Sequence, residues 1–157
     1  MQGKTPFQQR FTQKSETYGV TAPDYQSLTH GKPAPYLRGS VVDDLAEIIR
    51  ERQPGEIYLT NEADKHFDHR IAFSYVCDAI HLVNYPGDLF TYIVHGKPPA
   101  TPPDRRVILS AQQNDIKRRA IEDHQADTSP IHDYLADEYM RTEELFWKVR
   151  VEPAASK

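Results

Sequence analysis

Between residues 40 and 96 the apolar residues switch repeatedly between helical and extended spacing, and that alternation leaves few folds open. SVVDDLAEIIRER (40–52) sets Val41, Val42, Leu45, Ile48 and Ile49 on one helical face. Ser40 stands in the N-cap position, acids fill the first turn and basic residues the last. Pro54-Gly55 ends that helix, and EIYLT (56–60) reads as a short buried strand. DHRIAFSYVCDAIHLV (68–83) predicts a second helix with Ala72, Phe73, Val76, Ile80 and Val83 inward. NYPGD (84–88) is a turn, and LFTYIVHG (89–96) is a β-branched and aromatic strand. Helix–strand–helix–strand order implies an α/β fold, a sheet flanked by helices.

The flanks are less regular. Residues 1–39 predict an irregular arm anchored by Phe7, Phe11, Tyr18, Tyr25 and Tyr36, with a short helix near 7–14. KPPATPPDRR (97–106) has four prolines and cannot be regular structure. VIL (107–109) suggests a short strand, and residues 110–127 a helix burying Ile116, Ala120 and Ile121. Ser129-Pro130 opens another helix to about residue 140, and EELFWKVRV (143–151) closes the sheet as an edge strand. Residues 152–157 are a tail.

A chain of 157 residues suits one domain with a real core. Net charge is −4, which gives no electrostatic case for nucleic acid. No apolar run approaches the roughly 18 residues of a membrane span, and no secretory h-region is present. The single cysteine, Cys77, excludes an internal disulfide and a cysteine-cluster metal site. A cytoplasmic location is the expectation.

The chemistry gathers in NEADKHFDHRIAF (61–73), straight after the first strand. In open α/β sheets that is where ligands bind. His66 and His69 are three residues apart at a helix start, so both rings can face one crevice. Imidazole and carboxylate suit zinc, which in catalytic sites takes three protein ligands and a water. Asp68 is placed either to cap the helix or to fix a histidine tautomer. Spacing alone favours a plain capped loop with solvated histidines over a metal site.

His-Phe-Asp-His-Arg (66–70) after strand-Thr-Asn-x-x-Asp resembles the second motif, His-Pro-Asp-His-Arg, of the PIG-L/LmbE family of N-acetylglucosaminyl deacetylases. Three further segments follow in family order: TYIVHG (91–96), IKRRAIEDH (116–124) and EELFWKVR (143–150). The resemblance spans residues 40–151 and implies a Rossmann-like sheet, incomplete on its N-terminal side. It implies a divalent metal, usually zinc, and hydrolysis of an N-acetyl group on an amino sugar or N-acetylglucosaminyl conjugate. His69 matches the metal ligand. His66 matches the histidine that stabilises the tetrahedral intermediate or protonates the leaving amine. Asp68 matches the carboxylate expected to orient a histidine, and Arg70 has a structural part. Asp64 and His95 are expected to line the substrate pocket.

The sequence departs from that pattern in one decisive place. The family's first motif, His-Pro-Asp-Asp-Glu, carries the other two ligands and the general base. Asp43-Asp44 lacks a His-Pro and sits in a helix; Pro23-Asp24 lacks a histidine and a second acid. Phe67 replaces the motif's proline, and Ala126-Asp127 stands where Ser-Gln is usual. Of the other histidines, His30 is the one worth testing as a replacement ligand. The resemblance thus implies a deacetylase represented by its C-terminal part, which alone lacks the means for turnover. The alternative is an inactive sugar- or partner-binding relative, with Phe67, Tyr75 and Tyr92 beside the crevice. A separate chain carrying the N-terminal half is a third expectation.

Overall fold

Two short parallel strands, joined by a helix, organise the molecule. The computed structural model describes residues 5–126 and 139–150. The tail, residues 129–138 of the expected last helix, and the side chains of His124 and His132 lie outside the described residues. The elements are α1 (Tyr25–His30), α2 (Arg38–Arg52), β1 (Glu56–Thr60), α3 (Phe67–Val83), β2 (Asp88–Tyr92), β3 (Arg105–Ile108), α4 (Ala111–Ala126) and β4 (Glu143–Val149). The fold is α/β, with an open mixed sheet in the order β1-β2-β4-β3.

β1 and β2 pair in parallel from Glu56↔Asp88 to Thr60↔Tyr92, with α3 as the crossover. β4 then runs antiparallel to β2, and β3 antiparallel to β4. β4 is therefore interior, not the edge strand expected. Both its sides carry ladders, and its Trp147 is buried beside Thr91 of β2.

α2 and α3 cover one face of the sheet. Val42, Ala46, Ile49, Ala79, Ile80, Leu59 and Leu89 form the buried cluster, with Phe73, Val76 and Val83 against it. Each large apolar side chain buried here contributes about 1.5–3 kcal/mol. Ala46 and Ala79 have no exposed surface, so the core of this layer is tight where its side chains are smallest. The helix faces are narrower than their spacing predicts. Val41, Ile48 and Ala72 are exposed, because each points away from the single layer these helices share.

α2 begins at Arg38, and Ser40 is inside it rather than at its cap. The extra residues are anchored: the Arg38 guanidinium donates to Asp78 and Ser74 of α3 and lies over the Tyr75 ring. The arm holds no helix at 7–14. Gln9 instead accepts from the backbone of Phe11 and Thr12 in a tight turn. The helix forms later, where Asp24 caps α1 through Ser27 and Gly31 closes it at φ 71°. Segments 15–17 and 34–36 bond to each other as a short antiparallel pair. α4 leaves Ile116 exposed; Lys117 ties this helix to β4 through Glu144.

Candidate functional site

β2 ends at Tyr92, four residues before the predicted end of its strand. The reason is Asp64. The N–H groups of Val94 and His95 donate to its Oδ2 at 2.8 and 3.0 Å instead of continuing a ladder. Oδ1 accepts from the His66 N–H at 2.9 Å and lies 3.1 Å from Nδ1 of His69. One carboxylate thus fastens the loop after β1 to the loop after β2, where each strand presents its carboxyl end. Asp64 is 1% exposed. Burial pushes its pKa up, but the donated N–H groups of His66, His95 and Val94, with His69 behind them, outweigh it and hold the carboxyl down at about 2.

Further bonds fix the same loops. The Asn61 N–H continues the parallel ladder to the Tyr92 carbonyl, and Lys65 N–H donates to the His95 carbonyl. Asn61 Nδ2 donates to Thr91 Oγ1, and that buried hydroxyl donates to the Trp147 carbonyl. Thr60 Oγ1 donates to the His69 carbonyl at the start of α3. Arg70 donates from Nη1 to the carbonyls of Asp64 and Lys65, which ties the start of α3 to the loop backbone.

Over this frame three imidazoles meet. Ring centroids are 4.8 Å apart for His66–His69, 5.2 Å for His69–His95 and 5.7 Å for His66–His95. His66 is the N-cap residue of α3 and offers no side-chain cap bond, so its ring is left to the cluster. Its side chain is half exposed, whereas that of His69 is mostly covered. His95 follows β2, and Tyr139 Oη lies 3.2 Å from its Nδ1. His69 Nδ1 is close to Asp64 yet outside the angle of an aligned hydrogen bond.

The sequence-derived roles divide on this geometry. His66, His69 and His95 come together. Asp64, expected to contact substrate, has its oxygens buried under four nitrogen neighbours and orients the site from beneath. Asp68, expected to orient a histidine, is 81% exposed and only within 4.0 Å of His66 Nδ1. Its place in the first turn of α3 suits the helix dipole instead. His30 is elsewhere, 2.8 Å from Glu47 of α2. Tyr75 lies under Arg38 and Tyr92 against Phe146, while Phe67 stays exposed beside His66. Spacing alone could not reveal Tyr139 or Thr91 as supports, since both act across long sequence separations.

A cavity of about 350 Å³ opens at the other end of the strands, lined by Ile49, Gln53, Pro54, Val83 and Tyr85 among others. It brings together no acid–base set like that of the histidine cluster. No protein-family model matches the chain, and no curated protein matches it. Among the described residues, no helix is long and apolar enough to cross a membrane.

Proposed function

We propose that this chain carries part of a metal-dependent N-deacetylase site of the PIG-L/LmbE kind, acting on the acetamide of an amino sugar or sugar conjugate. The observation that carries this reading is the convergence of His66, His69 and His95 at the carboxyl ends of two parallel strands, over a buried orienting carboxylate. The four family-like segments in order support it.

His69 suits one metal ligand, since Asp64 faces its Nδ1 and leaves Nε2 outward. The remaining family ligands have no counterpart in the sequence. Among the described residues, no three His, Cys, Asp or Glu side chains place their donor atoms around one point. The residues present therefore do not make up the family's zinc set, and the base is lacking as well. His66, at the solvent side, is positioned to donate an N–H to the acyl oxygen as negative charge grows there. The same proton can then pass to the leaving amine. His95 lines the facing side, in contact with Tyr139.

The missing acid and ligands would come from a chain carrying the first motif. β1 supports this, because among the described residues it is an edge strand beside the histidines, with β2 on one side only. The test is primary-amine release from an N-acetylglucosaminyl conjugate, with zinc, by this chain alone and mixed with a polypeptide bearing the His-Pro-Asp-Asp element. We expect release only in the mixture and its loss in His69→Ala. Release indifferent to both His66→Ala and His69→Ala would sink the reading. The exposed Phe67 ring favours one alternative, an inactive sugar-binding relative. Saturable sugar binding weakened by Phe67→Ala, with no amine released from the mixture, would select it.

A further inference from the structure

We propose that the cavity at the amino ends of β1 and β2 binds a small organic acid, a monocarboxylate on a compact apolar body, with its carboxylate on Arg50. The site lies at the opposite end of these strands from the histidine cluster and does not depend on the deacetylase reading.

Two similar corners of the chain make the cavity. α2 ends at Arg52 and α3 at Val83, each followed by a left-handed cap residue, Gln53 at φ 44° and Asn84 at φ 49°. Each cap leads through proline and glycine into a strand, as QPG (53–55) before β1 and NYPG (84–87) before β2. The Gly55 carbonyl accepts from Asp88 N–H, so the two corners are tied side by side. Pro54 and Pro86 have no N–H to offer and line the space with ring carbon. Ile49 of α2, Val83 of α3 and Tyr85 complete the apolar walls. The volume, about 350 Å³, falls in the range of small-molecule pockets.

The polar groups at this cavity decide the ligand. Arg50 and Gln53 are the remaining lining residues, and neither side chain has a hydrogen bond or ion pair among the described residues. The Tyr85 hydroxyl is covered and likewise without a partner. Burial, with Asp88 and Glu56, pushes its pKa up, so it keeps its proton. Guanidinium, amide and phenol can all donate, and no protein acceptor meets them here. The carboxylates nearest Tyr85 are engaged elsewhere, Glu56 by Arg105 and Asp88 by Lys148. The unmatched charge at the cavity is therefore positive.

A carboxylate answers that set, because its two oxygens match the fork of an arginine. Helix carboxyl ends disfavour an anion, but here their carbonyls are partly taken. Ile49 accepts from Gln53 N–H, His81 from Asn84 N–H and Ile80 from Tyr85 N–H. A bare inorganic anion would leave the apolar walls unused, so the carboxylate carries a hydrocarbon body. A phenyl ring suits walls of tyrosine and proline.

The test is titration of the full ¹⁵N-labelled chain with 3-phenylpropionate at pH 7, followed by backbone amide shifts. Two controls divide the probe: 3-phenylpropionamide has the body without the charge, and acetate has the charge without the body. The result expected is saturable binding at one site, with Kd on the order of 1 mM. Shifts should centre on residues 49–55 and 83–87. The amide and acetate should each bind at least about threefold more weakly than the acid. Arg50→Gln should weaken 3-phenylpropionate by about threefold or more. Arg50 is exposed, and circular dichroism verifies that the variant folds. Affinity unchanged in folded Arg50→Gln would overturn the proposal, as would absence of binding or an amide that binds as tightly as the acid. Shifts centred on residues 64–69 and 94–96 also overturn it; they would assign the acid to the histidine cluster and leave the deacetylase reading standing.

Discussion

At the scale of single residues, Asp64 governs the site without facing it. Two loops far apart in sequence end on its two oxygens, so removing either oxygen's charge leaves buried N–H groups short of an acceptor. Asp64→Asn keeps the shape but turns one acceptor into a donor facing donors. We expect it to lower stability by about 2–4 kcal/mol in urea unfolding, and Asp64→Ala by about 3–5 kcal/mol. A loss below about 0.5 kcal/mol for the asparagine variant would mean that the loops hold themselves. Asp68 supplies the contrast. It is the more conspicuous carboxylate in the His-Phe-Asp-His run, yet it is largely exposed. Asp68→Ala should cost less than about 1 kcal/mol, the worth of an acid near a helix N-terminus. The sequence draws attention to Asp68 rather than Asp64 for a physical reason. Adjacency to histidine is visible in a string, whereas acceptance from backbone N–H groups thirty residues away is not.

At the scale of elements, period and punctuation were legible and their ends were not. β1, α3 and the turn before β2 lie close to where spacing and Pro-Gly pairs predict them. α2 starts early because Arg38 is bound to α3, and β2 stops early because Asp64 takes the N–H groups of Val94 and His95. Both departures are tertiary bonds overriding local preference. Gly96 shows how tightly the second loop is bent: it follows His95 at φ 134°, a conformation that side-chain-bearing residues rarely adopt. Gly87, before β2, is needed for closeness instead. A Cβ there would collide with the Tyr85 hydroxyl and come within 2.6 Å of the Gly55 carbonyl oxygen. That carbonyl already accepts from Asp88 N–H, so it cannot easily give way. Gly87→Ala should therefore cost about 1–3 kcal/mol, read as a fall in Tm. An unchanged Tm would show that the turn relaxes freely.

At the scale of the whole molecule, the order of strands was the illegible part. Alternation along EELFWKV announces a strand, but nothing in it says that β3 will pair outside it. Interior placement of β4 brings β3 and β1 to opposite edges, and the sheet face away from α2 and α3 is spanned by side chains. Arg105 of β3 reaches across to Glu56 of β1, with its guanidinium 4.2 Å from the centre of the Phe90 ring. Tyr58 stacks on Phe90 and meets Phe146 edge-on beneath the same bridge. The Arg105 hydrogen bonds, then that from Tyr58, hold the Glu56 carboxyl at about 2, below its ordinary 4.5. A carboxyl with a folded-state pKa below its unfolded one stabilises the fold above the unfolded value and loses that contribution as pH falls through the folded value. The bridge should thus be fully effective above about pH 4.5 and fail progressively toward pH 2. Asp64 titrates in the same window, so acid sensitivity by itself does not identify Glu56. The informative quantity is the difference between the parent chain and Glu56→Gln in urea midpoints at pH 6 and pH 3. The variant should be the less stable at pH 6, and the gap should narrow at pH 3. Because both side chains are partly solvent-exposed, 0.5 M salt should shrink the gap at pH 6 as well. A gap that is the same at both pH values would assign the variant's defect to packing on the aromatic face rather than to charge.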